Sequence, residues 1–303
     1  MRIENLFDLH CQFPDIDGYW DFNHLSLTEE SIRKLLPAEE GEWTLKNFEE
    51  ASQLARLQGL KEQYPEARAT LRTIEKKIGS FPADQSIRLQ TRYYLESGRV
   101  HSLSRSAFKA QELFAKAWTL SKNHNLIYFA IDAAVMMAIS QPIKRRYEWL
   151  EQALSLAEAS SSQQDQMWLA QLYSMNAWAL FDLRRFDEAL AFFEKALSKT
   201  DASENKSSTD GLRWSVARTL RQLARVPEAY EVQLGLLREQ SARGKVNGHV
   251  SLELGECLQA LEKHEEARAY FETAHKELST DEWFTNNKPE ELARILYLWK
   301  RRT

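Results

Sequence analysis

The sequence predicts an all-α protein built as an array of stacked helix hairpins, and three observations carry that expectation. Tyr173 to Ala196 reads as two amphipathic helices joined by a tight turn at Arg184-Arg185, with apolar residues at three- and four-residue steps on both sides. The small-residue spacing of that stretch returns along the chain, as it must if neighbouring copies are to bury the two apolar stripes that one hairpin leaves open. Helix breakers are few: ten Gly and seven Pro in 303 residues, of which 43% are apolar.

The repeats emerge on alignment to Ala189. Twelve positions before it stands Ala177, and four and seven after it stand Phe193 and Ala196. The same offsets give Gly98, Ala110, Phe114 and Ala117 in one unit and Gly255, Ala267, Phe271 and Ala274 in another. Ala55, Ala67, Leu71 and Ile74 form a weaker copy, as do Ala217, Ala229, Gln233 and Leu236, where Gln233 replaces the aromatic. The sixth unit, with Ala134, Arg146, Leu150 and Ala153, lacks the small residue after the turn. Six units then follow one another at separations of 43, 36, 43, 40 and 38 residues.

The ends of the chain differ from this frame. Residues 1–50 hold twelve Asp or Glu against four Lys or Arg, leaving 36 basic and 32 acidic residues for the rest. Phe13 to Trp20 mixes turn residues with aromatics and has no helical period. Ser26 and Glu29 suit a capping box ahead of Ile32, Leu35 and Leu36, so residues 1–44 are expected to form an acidic capping segment with one short helix. The repeat array spans 45–280. Residues 281–303 are expected to be a capping helix that opens at Pro289, carries Leu292, Ile295, Leu296, Leu298 and Trp299, and ends in Lys300-Arg301-Arg302. Ser160 to Asp165 and Asp201 to Asp210 read as polar loops between units.

With Tyr94, Gly98, Ala110, Phe114 and Ala117 in register, and Leu254-Gly255, Leu258, Ala267, Phe271 and Ala274 repeating them, the chain resembles the tetratricopeptide repeat (TPR) family, in the form of a bacterial-type array with long repeats. The resemblance covers roughly residues 46–278, with units longer than the 34-residue consensus and without its closing proline. It implies a right-handed superhelical array of about six TPR-like hairpins, a non-catalytic scaffold that binds a protein or peptide segment, and a concave groove lined by the first helix of each pair. Small residues such as Gly98 and Ala177 would let paired helices approach while Phe114 and Phe193 fill the core. Groove positions implied in this way include Arg56, Arg92, Arg99, Tyr128, Asp132, Trp178, Trp214, Arg218 and Arg221, with Gln171, Asp182, His249, Glu253 and Glu256 at neighbouring offsets. Arg and aromatic side chains dominate binding hot spots, so an acidic segment with an apolar anchor is the expected ligand. Solvent-facing arginines such as Arg218 and Arg221 would then contribute only about half a kcal/mol each to stability.

Other function classes find little support. A formal charge of −4 does not favour nucleic acid. No apolar run approaches a membrane span, and Glu4 and Asp8 stand where a leader would be basic, so a cytoplasmic protein with reduced Cys11 and Cys257 is expected. His264-Glu265 opens like a zinc-protease helix, but Arg268 stands where the second His belongs. No P-loop and no nucleophile pair is present beyond the adjacent His10 and Cys11, so no cofactor and no catalysis are expected. The fifth positions, Ser52, Leu95, Ile131, Ser174, Trp214 and Leu252, lack the Lys of a terminal-carboxylate receptor of this family. A peptide-sensing array acting on a separate transcription or signalling protein is the alternative, and an enzyme using the Arg-rich groove on an anionic small molecule is a third class.

Overall fold

The computed structural model describes residues 24–37, 43–200 and 206–301, all of whose regular elements are helical. Six hairpins follow the sequence frame: α2 (Leu45–Leu60) with α3 (Tyr64–Ile78), α4 (Ala83–Leu103) with α5 (Ala107–Asn123), and α6 (Ile127–Ile139) with α7 (Ile143–Ala159). The remaining three are α9 (Leu169–Asp182) with α10 (Phe186–Lys199), α11 (Lys206–Gln222) with α12 (Val226–Ala242), and α13 (Gly248–Ala260) with α14 (His264–Leu278). A helix α1 (Leu25–Leu35) precedes them, a single turn α8 (Gln163–Gln166) interrupts them, and α15 (Glu282–Asn287) and α16 (Pro289–Lys300) follow. The chain divides into two compact units, with the boundary between Leu169 and Ala170 at the start of α9, and three hairpins fall to each.

Five of the six hairpin turns share one device. Glu62, Arg105, Arg184, Ala224 and Glu262 have φ between 60° and 61°, in the left-handed region. In each case the next N–H reaches back five residues, as in Arg185 to the Leu180 carbonyl (2.9 Å) and Arg225 to the Leu220 carbonyl (2.9 Å), which satisfies helix-end carbonyls in a Schellman arrangement. The third hairpin lacks it. There Pro142, with φ −58° and ψ 156°, stops α6 and starts α7 directly, and Arg146 is tolerated because the hairpin still buries Leu150 and Ala153.

The small-to-aromatic mesh is the core of each strong repeat. Phe114, Phe193 and Phe271 are buried, at 2%, 0% and 1% exposure, with Ala110, Ala189 and Ala267 behind them. A Cβ added to Gly255 would stand 2.8 Å from Phe271 Cε1, and one added to Gly98 would meet the Phe114 ring more closely still. The small residue of the first helix therefore takes the ring of the second. Where Gln233 replaces the aromatic it is still fully buried, and its Nε2 donates to the Trp214 carbonyl at 3.4 Å.

The ends correct several expectations. Helix α1 opens at Leu25 from His24 without a side-chain cap, so Ser26 lies inside the first turn rather than at its cap. Glu29 instead takes Arg33 and Lys61 (2.6 Å), and the capping box belongs to Thr44 and Asn47 at the start of α2. Residues 1–23 and 38–42, with most of the acidic segment including Phe13 to Trp20 and Cys11, lie outside the described residues. Ser160 to Asp165 is ordered by Ser160 Oγ donating to Asp165 (2.6 Å), and Lys206 to Asp210 belong to α11 rather than to a loop, while 201–205 are outside the description. At the carboxyl end α16 begins at Pro289 and packs Leu292, Ile295, Leu298 and Trp299 on Phe271, Ala274 and Leu278. The added turn α15 contributes Trp283 and Phe284.

Two glycine substitutions test the mesh. Gly98→Ala should lower stability by about 1–3 kcal/mol through overpacking against Phe114. Gly211→Ala, where an added Cβ meets nothing within 4 Å, should raise stability by about 0.5–1 kcal/mol through helix propensity. Paired urea melts decide it, and equal signs would exclude the mesh.

Candidate functional site

The first-helix positions expected to face the groove carry an ordered set of charges and rings, which takes a different form in each unit. In the first unit the groups are buried. Arg99 on α4, 2% exposed, donates to Glu96 at 2.6 Å and across to Asp132 on α6 at 2.5 Å. Arg88 donates to Glu49 on α2 at 2.8 Å, and Arg92 approaches the same carboxylate at 3.7 Å. Both guanidinium groups also lie over the Phe129 ring, at 5.6 and 5.2 Å. Arg56 and Tyr128 are buried too, Tyr128 with its ring 5.9 Å from that of Trp168. Thus Arg92 with Glu49 and Arg99 with Asp132 form ion pairs between helices, Arg99 pairs with Glu96 within α4, and none of the five residues expected here is an open surface group.

In the second unit the rings lead. Trp178 on α9 lies 6.0 Å from Trp214 on α11, Trp214 lies 6.0 Å from His249 on α13, and His249 lies 5.7 Å from Phe284 on α15. This ladder is fixed at its middle by Trp214 Nε1, which donates to the His249 carbonyl at 3.2 Å. Trp178, Trp214 and His249 are each partly exposed. Burial pushes the His249 imidazole below its usual value, against the pull of Asp281, so the ring is neutral near pH 7.

Charge joins the ladder through one carboxylate. Glu253 on α13, with a side chain only 2% exposed, accepts Arg218 Nη1 at 3.1 Å and Arg221 Nε and Nη2 at 2.8 and 3.2 Å. Burial opposes the charge of Arg221, but Glu253 outweighs it and holds that guanidinium above its usual range. Arg218 lies over the Trp214 and Phe181 rings at 5.2 and 5.8 Å, while Glu256 is taken by Arg294 from α16. Arg221 is therefore a structural ion-pair partner, and the small stability effect expected of it from sequence is revised upward. The repeat frame held a signal for Phe181, at the twelfth offset, whereas Phe284 lies beyond the last repeat and no offset could supply it.

Among the described residues no group of three His, Cys, Asp or Glu could hold a metal ion, and no helix is long and apolar enough to cross a membrane. Glu265 pairs with Arg268 at 3.2 Å, which accounts for the charges of the His264-Glu265 helix start. Cys257 is buried, and burial pushes its thiol up to about 12, far from a reactive thiolate at neutral pH.

The sequence profile of the tetratricopeptide repeat family matches residues 170–198 and 249–275, which are α9 with α10 and α13 with α14. At these two hairpins the chain carries tetratricopeptide repeats. Among solved structures it is similar to the apo form of RapI (TM-score 0.67, 13% identity, covering 96% of this chain and 84% of RapI). It is also similar to the apo form of the quorum sensor NprR from B. thuringiensis (0.63, 14%, 96% and 83%) and to NprR in complex with its cognate peptide NprX (0.51, 15%, 93% and 84%). At these identities the likeness shows the fold: an all-α array of TPR helix hairpins. No curated protein matches the sequence.

The two kinds of ion pair should separate on mutation. Arg99→Ala leaves two buried carboxylates and should cost about 3–5 kcal/mol, whereas Arg185→Ala, which removes the exposed pair with Glu188, should cost no more than about 1 kcal/mol. Denaturant melts of both variants check this; comparable losses would mean that the Arg99 cluster is solvated. Cys257 should resist iodoacetamide at pH 8 in the folded chain and alkylate in urea, read by mass spectrometry of the peptide that contains it.

Proposed function

We propose that this chain is a noncovalent scaffold that binds a protein or peptide segment, and that the second unit's aromatic ladder is its principal contact surface. The observation that carries the reading is the run of Trp178, Trp214, His249 and Phe284 across α9, α11, α13 and α15, partly exposed at its three leading rings and flanked by Arg218. Large rigid rings held by neighbours offer contact area with little ordering entropy, which is why Trp and Arg recur in hot spots. In support, NprR, a protein of the same fold, takes its cognate peptide NprX. The regulatory form of this reading, a peptide-sensing array acting on a separate transcription or signalling protein, is favoured by the likeness to the quorum sensor NprR.

On this reading Arg56, Arg92, Arg99, Tyr128 and Asp132 act chiefly by holding successive first helices together, and Trp178, Trp214 and Arg218 face the partner. Residues 281–303 cap the last repeat, since an array's terminal apolar edge needs a cover. The acidic segment before the array remains a candidate cap.

Panning a random heptapeptide display library on the full chain tests the proposal. Enriched peptides should bind the native chain with a change in Trp emission, and Trp178→Ala or Trp214→Ala should weaken them by about 2 kcal/mol or more, close to thirtyfold. Failure of any peptide to enrich, or binding by both Trp variants equal to that of the native chain, would remove this surface as the site.

A further inference from the structure

Of the arginines gathered on the inner helix faces, Arg218 differs in how its donors are used. Arg221 commits both Nε and Nη2 to Glu253. Arg218 gives the same carboxylate only Nη1, at 3.1 Å, and its Nε–H, like that of Arg92, is out of water and has no acceptor, so what sets it apart is its exposure and the carboxylate it shares. Its side chain is 34% exposed, against 18% for Arg221 and 3% for Arg99. One carboxylate thus serves two guanidinium groups, and the neighbouring Glu256 is already engaged by Arg294. A positive charge is left over beside the ladder, on a group 5.2 and 5.8 Å from the Trp214 and Phe181 ring centroids.

From this arrangement we infer that Arg218 is the specificity-determining cation of the ladder, and that the segment it takes carries a carboxylate next to an aromatic or branched apolar side chain. The inference rests on the peptide-scaffold reading above and names its ligand chemistry. A planar guanidinium recognises a carboxylate through two parallel N–H bonds, and Arg218, with a side chain a third exposed, commits only Nη1 to Glu253. Recruiting it does not strand Glu253, which keeps both bonds from Arg221. Recruiting Arg99 instead would leave Glu96 and Asp132 buried without their shared cation contact. The apolar neighbour follows from what lies beside the cation: Arg218 is 5.2 Å from the Trp214 ring, which is itself 6.0 Å from Trp178.

The carboxylate could belong to an Asp or Glu side chain or to a chain terminus, and synthetic peptides separate these. A heptapeptide enriched on the native chain is made with a free and an amidated carboxyl end, and with Asp or Glu replaced by Asn or Gln. We expect one of these changes to weaken binding to the native chain about tenfold or more, and to change binding to Arg218→Ala by less than about twofold. Arg218→Lys, which keeps the charge but not the paired donors, should recover only part of the affinity. Thermal melts confirm that each variant is folded, and the peptide-side changes test the inference on the native chain whether or not a variant folds. Enrichment of peptides without acidic preference, or an acidic preference undiminished in Arg218→Ala, would overturn the assignment and leave the scaffold reading standing. Absence of any enriched peptide would remove both.

Discussion

The placement of small residues against aromatic rings governs the rest of this structure. Gly98 and Gly255 have no room for a Cβ because Phe114 and Phe271 occupy that space, so the rotation of each first helix about its own axis is fixed by its partner. Once that rotation is set, helical periodicity decides which residues turn away from the hairpin core. The sixth and ninth positions of the frame then fall on the same side of successive first helices. Arg99 meets Asp132, and Arg218 meets Glu253, through the same offset pair in different repeats.

That recurring clip changes the meaning of the inner-face arginines. Read singly, each is a solvated charge or a docking group. In the folded chain the ninth-position cation of one repeat neutralises the sixth-position carboxylate of the next, so much of the basic character is spent inside the protein. A buried pair such as Arg99 with Asp132 contributes modestly to net stability but makes removal of one partner expensive. The charges therefore act in register, while the rings remain partly open in the second unit.

Most of the fold was legible because it rests on short-range periodicity. The offsets from Ala189 placed all six hairpins, including the one at Ala134 whose turn uses Pro142 in place of a left-handed residue. What the sequence hid were pairings across repeats. Nothing local to Arg221 announces that Glu253 lies 2.8 Å away, because that contact depends on the rotation and spacing of two helices. The capping box was misplaced for a related reason: Ser26 and Glu29 fit the motif, yet Lys61 offers Glu29 a partner from outside the helix. Phe284 escaped because the frame ends before it, although its ring completes the aromatic ladder.

The two clips use the same geometry with opposite stoichiometry, and this difference connects structure to function. Around Arg99 one guanidinium serves two carboxylates, all nearly sealed from water. Around Glu253 one carboxylate serves two guanidinium groups, one of them a third exposed. A closed cluster gains nothing from a further ligand, since any new contact must first break an existing one in a dry setting where an unpaired charge is costly. The Glu253 cluster is different: it can release Arg218 and stay neutralised through Arg221.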